Sequence, residues 1–82
     1  MEYKVYIIYS SHLDKYYVGH TDNIDRRLKE HNTGQTRYTS TGDAWILKHT
    51  EPFATRADAM KREREIKARK SRKYIESLFK VG

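Results

Sequence analysis

The chain has no cysteine among its 82 residues, which removes disulfides and thiolate metal sites from consideration. Its four histidines, His12, His20, His31 and His49, show none of the short spacings that hold structural zinc. Glycine and proline are scarce, four and one residues, and there is no linker, internal repeat or low-complexity segment. Apolar runs are short as well. None extends beyond the few residues around Val5 to Tyr9, no cleavage-site pattern follows, and nothing is long enough to span a bilayer. A cytoplasmic location and no membrane contact are expected. A chain of this length suits one domain, 1–82, burying only about 60% of its unfolded surface, so the core is modest. No obligate protein partner is evident.

What the chain has is positive charge, placed unevenly. The formal net charge is +6. Between Arg56 and Lys73 there are nine Lys or Arg against three acids, and the remainder of the chain is neutral. A basic block confined to one helical region is the footprint of a nucleic-acid surface, because each phosphate neutralised releases condensed counterions. The competing reading is a solvated, highly charged helix.

Strand and helix signals alternate along the chain. Tyr3 to Tyr9 (YKVYIIY) is rich in β-branched and aromatic residues, Ser10 to Lys15 forms a turn, and Tyr16 to Gly19 (YYVG) is a second strand, giving a hairpin. Thr21 or Asp22 is expected to cap a helix running to about Asn32, which Asn23 helps begin and Gly34 stops. The polar stretch Gln35 to Asp43 reads as a surface loop. Trp45 to Phe53 is a third strand ending near Pro52, with Trp45 and Phe53 in the core. Thr55, with Asp58 three residues on, starts the basic helix in a capping-box-like manner. Ser71 opens a last helix whose Tyr74, Ile75, Leu78 and Phe79 recur at core spacing.

Two of these helices aim polar groups inward. On a wheel of about 3.6 residues per turn, Ala59, Met60 and Ile66 set the apolar face of the basic helix and Glu63 falls inside that arc, while Glu65 falls opposite. In the earlier helix Ile24 and Leu28 set the stripe, and Arg27 and His31 lie in or beside it. Burying a charge costs several kcal/mol unless it is compensated. The pattern therefore reads either as a cleft or as a buried Arg27–Glu63 ion pair.

Lys4-Val5-Tyr6, ten intervening residues, Tyr17-Val18-Gly19, and Arg27 eight positions later resemble the signature of the GIY-YIG nuclease family. Further on, Arg26 to Gly34 (RRLKEHNTG), Tyr38-Thr39, Phe53 and Ala59 to Lys67 (AMKREREIK) resemble its small stand-alone bacterial members, so the likeness spans nearly the whole chain. One departure is Lys4 in place of the first motif's glycine, which bears on strand geometry more than on chemistry. The resemblance implies a three-stranded antiparallel sheet flanked by helices, an α+β fold of order β-β-α-β-α-α. It also implies phosphodiester hydrolysis with one divalent metal ion, Mg²⁺ or else Mn²⁺, and it places Tyr6, Tyr17, Arg27, His31 and Glu63 in one site.

The chemistry suits these residue types. A hard cation that keeps several waters needs few protein ligands, so Glu63 can suffice as metal ligand. Arg27 can fork two N–H bonds onto the scissile phosphate. A tyrosine near a metal and cations can have its pKa lowered enough to serve as general base, Tyr6 or Tyr17. His20, Arg37, Lys67, Arg69, Lys70, Arg72 and Lys73 are the expected nucleic-acid contacts. Each has a plain competitor: strand tyrosines usually pack, His31 could interact with its helix dipole, and Arg37, Tyr38 and Thr39 could simply be exposed. The expected function is a metal-dependent endonuclease on DNA, structure-directed or weakly sequence-specific, in DNA repair or processing. The alternatives are a nucleic-acid-binding module of the same fold without cleavage, and a protein-interaction domain in which Arg27 and Glu63 merely pair.

Overall fold

The computed structural model describes residues 2–32 and 45–80. Six elements follow one another: β1 (Tyr3–Ser10), β2 (Lys15–Thr21), α1 (Ile24–Asn32), β3 (Ile46–Phe53), α2 (Arg56–Arg69) and α3 (Arg72–Ser77). The strands form one antiparallel sheet in the order β2-β1-β3. The expected order of elements is the one observed.

β1 is the central strand, and Val5, Tyr6, Ile7 and Ile8 are all buried because both of its faces are covered. Successive side chains leave a strand on opposite faces. Val5, Ile7 and Val18 pack with Ala59 and Ile66 of α2, and Tyr74, Ile75, Leu78 and Phe79 close over them. Tyr6 and Ile8 point the other way, onto Trp45 and onto Ile24 and Leu28 of α1. Burying one aliphatic side chain contributes about 1.5–3 kcal/mol. Truncating Ile66, which has no exposed surface, to alanine should therefore cost roughly 2–5 kcal/mol, a large share of a small domain's stability.

Element ends show where local sequence signals were overridden. β2 does not stop at Gly19 but continues to Thr21, which pairs with Lys4; Lys4 itself sits in regular register between Thr21 and Pro52. Because the ladder uses Thr21, the cap of α1 moves from the expected Thr21 or Asp22 to Asn23, whose Oδ1 accepts the Arg26 N–H at 3.0 Å. Thr21 Oγ1 accepts the Asn23 N–H at 3.1 Å, and Asp22 binds the Arg26 guanidinium at 3.2 Å. Thr55 and Ser71 cap α2 and α3 as expected, accepting from Asp58 and Tyr74. The third strand begins one residue later than expected, at Ile46. The Trp45 backbone is bound instead by the Asn32 side chain, whose amide donates to the Trp45 carbonyl at 3.3 Å and accepts its N–H. Gly34 and the loop 35–43 lie outside the described residues. β2 and β3 are the sheet edges, and β3 carries Pro52, the exposed Ile46 and Leu47, and a register shift against Ile7 and Ile8.

Candidate active site

Tyr6 and Gly19 face each other across β1 and β2. Cross-strand partners project to the same face, and Gly19 projects nothing. A Cβ at that position would lie 2.6 Å from the Tyr6 hydroxyl oxygen and 3.2 Å from Cε1 of Tyr17. The space left by the missing side chain is the space the Tyr6 hydroxyl occupies, so glycine is required here for steric reasons.

α1 brings two further groups to that hydroxyl. Buried His31 places Nε2 2.9 Å from it, with its ring 4.8 Å from that of Tyr17. Arg27, about one turn earlier, donates Nε–H to the Tyr6 oxygen at 3.4 Å and Nη1–H to Glu30 at 3.1 Å. Burial, and after it the charge of Arg27, pushes the His31 pKa down to about 4, so near neutral pH the imidazole is uncharged and able to accept. With Arg27 donating into the phenol oxygen, the phenol's own proton is directed at His31 Nε2. A lowered tyrosine pKa was expected in this site. For Tyr6 the shift runs the other way, up to about 12, because burial outweighs the bond from Arg27.

Glu63 approaches from α2. Its side chain is 19% exposed against 53% for Glu65, as the helical wheel requires. Its Oε1 accepts from His20 Nδ1 at 2.7 Å and its Oε2 from Lys67 Nζ at 2.9 Å. Burial works to raise the Glu63 pKa, but the bonds from His20 and Lys67 together outweigh it and hold the carboxyl below its ordinary range. The expected alternative of an Arg27–Glu63 ion pair is overturned: Arg27 is paired with Glu30, one turn along its own helix, and Glu63 with His20 and Lys67. The i,i+3 spacing of Arg27 and Glu30 was the available signal for that pair. The protein-interaction reading built on Arg27 pairing with Glu63 loses its basis with it.

Tyr17 completes the group, half-buried, with Lys67 Nζ 5.9 Å from its ring centroid. Of the other expected nucleic-acid contacts, His20 is turned to Glu63. Arg69 stacks over Tyr74 at 4.5 Å, and Arg72 is bound to Asp14 at 2.7 Å and Glu76 at 3.3 Å. Lys70 and Lys73 are exposed, and Arg37 lies outside the described residues.

Among the described residues no cluster of three or more His, Cys, Asp or Glu forms a closed metal cage. A single ionised carboxylate at a partly open rim fits a different kind of ion, a hard divalent cation that is bound through one or two carboxylates and keeps most of its water. Lys67, half-exposed and flexible, is the partner such a cation would displace.

Comparison with known proteins bears on the family and the fold. The family described as the GIY-YIG catalytic domain matches residues 2–75. A UPF0213 protein of Halobacterium salinarum is 42% identical over 76 residues, covering 92% of this chain and 96% of that protein. A UPF0213 protein of Haloquadratum walsbyi is 42% identical over 65 residues, covering 78% and 72%. The solution NMR structure of a UPF0213 protein from Bacillus halodurans superimposes with a TM-score of 0.58 at 34% identity, over 95% of this chain and 82% of that one. Matched over nearly its full described length in sequence and in fold, the chain belongs to the GIY-YIG family.

Proposed function

We propose that this protein is a metal-dependent endonuclease that hydrolyses phosphodiester bonds in DNA, in repair or processing. The observation that carries the reading is the convergence on the Gly19 gap of a tyrosine hydroxyl, a neutral histidine and a guanidinium, with an ionised carboxylate from α2 close by. Membership of a nuclease family supports it, as does the net +6 confined to Arg56–Lys73.

In this mechanism Arg27 is oriented by Tyr6 through Nε and by Glu30 through Nη1, which leaves Nη2 for the scissile phosphate. A pre-aimed guanidinium of this kind stabilises the charge that develops as the phosphorus is attacked. Glu63 would hold the divalent cation, Mg²⁺ or Mn²⁺, which when bound would supply positive charge to the phosphate being cut. Tyr6 is buried and its hydroxyl is engaged on both sides, so it positions Arg27 and His31. Tyr17 is the tyrosine that water can reach, and in its phenolate form it is our choice for the group that takes the proton from the attacking water, becoming the neutral phenol.

One observation favours a second reading, a nucleic-acid-binding module without cleavage: both Glu63 oxygens already carry a hydrogen-bond partner, His20 and Lys67. Incubating the protein with Mg²⁺ and nicked, branched, single-stranded and duplex DNA decides between them. Cleavage lost on Glu63→Ala and kept within a few-fold on Glu65→Ala is the expected result. Salt-sensitive binding with no product from any substrate establishes the second reading.

A further inference from the structure

Beside the site, and sharing Tyr17 and Lys67 with it, lies a groove whose remaining lining the mechanism leaves unassigned. It runs along the outer edge of β2 to the junction of α2 and α3, with a volume of about 520 Å³, within the ~300–1,000 Å³ range of pockets that take small molecules. Its apolar lining is the half-buried Ile75 together with the buried Val18 and Ile66, and Tyr16 and Tyr17 flank it from opposite faces of β2. Lys15 and Lys70 stand exposed at the rim. Two other cations of the rim, Lys67 and Arg72, already have carboxylate partners in Glu63 and Asp14, so Lys15 and Lys70 present the positive charge available to a ligand. The groove shares Tyr17 and Lys67 with the candidate active site and is continuous with it.

We propose that this groove seats one unpaired nucleotide of the substrate strand, next to the phosphate that is cut; the assignment rests on the nuclease reading above. The ring of Tyr17, beside the apolar lining, accepts the face of a base, since every base has a π-surface to stack. The rim lysines match the phosphates on either side of it. β2 is an edge strand, so its outer backbone N–H and C=O groups are free to meet the polar edge of a base. A base inside a duplex is stacked above and below and paired at its edge, and cannot enter. The groove therefore selects strands with an unpaired nucleotide, such as flaps, overhangs and open junctions, over continuous duplex.

The test needs no cleavage. Isotope-labelled protein in EDTA is titrated with a single-stranded oligodeoxynucleotide of mixed sequence and, separately, with the same sequence as a blunt duplex, while backbone amide shifts are followed. The single strand should shift Tyr16, Tyr17, Val18, Ile66 and Ile75, and the duplex should leave Ile66 and Ile75 unmoved. The double variant Lys15→Gln, Lys70→Asn should weaken single-strand binding about tenfold and duplex binding much less. Asparagine suits position 70, whose backbone is left-handed with φ 48°. Equal shifts from both ligands, or single-strand shifts confined to the exposed face of α2, overturn the groove assignment. Groove shifts in a protein that cuts nothing with Mg²⁺ keep the nucleotide seat and remove the nuclease reading. Cleavage of plain duplex without groove shifts does the reverse.

Discussion

Glu51 and Glu63 have nearly the same ingredients and different surroundings. Their side chains are 23% and 19% exposed, each bonds one histidine and one basic side chain of α2, and both carboxyl pKa values are held low. Glu51 is gripped by the planar fork of Arg62, through Nε at 2.8 Å and Nη2 at 3.2 Å, and the remaining Nη1 binds Tyr74 and Glu65. Every strong donor there is consumed, and β3, α2 and α3 are tied together. Glu63 is held by a lysine that is itself 51% exposed and turns freely on a long stem. The difference lies in the counter-ion: a rigid fork makes a staple, and a loose ammonium makes a carboxylate that can change partners.

The largest effect should come from exchanging the roles. Glu63→Gln is nearly isosteric and keeps hydrogen-bonding capacity, yet it should lower cleavage about a thousandfold while the melting temperature moves little. Glu51→Gln should do the opposite, melting earlier and cutting normally when folded. If the two variants cannot be told apart in cleavage per folded molecule, the comparison fails.

Arg27 and Arg62 make the same contrast on the cationic side. Arg27→Ala should reduce cleavage several hundredfold, as expected for a lost transition-state donor, and Arg27→Lys should restore little because the fork is gone. A variant that melts early but cuts at the normal rate when folded would place Arg27 with the staples.

Mild acid should separate the two regions without mutation. His31 has its pKa lowered from 6.5 to about 4 in the folded chain, by burial first and then by the charge of Arg27. The unfolded state therefore binds the extra proton first as pH falls. The stability linked to neutral His31 is fully present above about pH 6.5 and is lost progressively down to about pH 4, amounting to about 3 kcal/mol. Denaturant midpoints should fall across that window. Emission of Trp45, whose ring lies 6.5 Å from His31, should change with them. A midpoint flat between pH 7 and pH 4 would contradict the buried neutral imidazole.

Smaller still is the stability cost of Arg62→Ala, about 2 kcal/mol for a half-buried pair losing its fork. That corresponds to a drop in melting temperature of roughly 10 °C, with cleavage unchanged at low temperature. Smallest is Lys67→Met, which frees one oxygen of Glu63 and should tighten Mg²⁺ binding a few-fold by calorimetry on the protein alone. Weaker Mg²⁺ binding in that variant would mean that Lys67 does not compete for the carboxylate.

Much of this arrangement could be read before the fold was known, for particular reasons. Glu63 and Glu65 separated on the helical wheel because three apolar neighbours fixed the face of α2, and a helix transmits that phase without help from tertiary structure. The strands were legible from their β-branched and aromatic runs. His20 as the partner of Glu63 was not, because its face depends on β2 continuing to Thr21 in register with Lys4, a property of the ladder that no local signal carries. The cap at Asn23 was misplaced for the same reason. Glu51, Arg62 and Tyr74 are far apart in sequence and belong to no periodic pattern, so their network was invisible. The direction of the Tyr6 shift depends on how completely the hydroxyl is enclosed, which only packing decides.

The outer edge of β3 bears on how the chain behaves when crowded. An edge strand with exposed apolar side chains is a template on which a second chain can add a strand, the first step toward aggregates. Here Ile46 and Leu47 are exposed on such an edge, but Pro52 removes one N–H from it, Lys48 adds a charge, and the register shift beside Ile7 and Ile8 breaks its flatness. Replacing Pro52 and Lys48 by threonine and valine should leave a stickier edge and raise the tendency of the folded chain to aggregate.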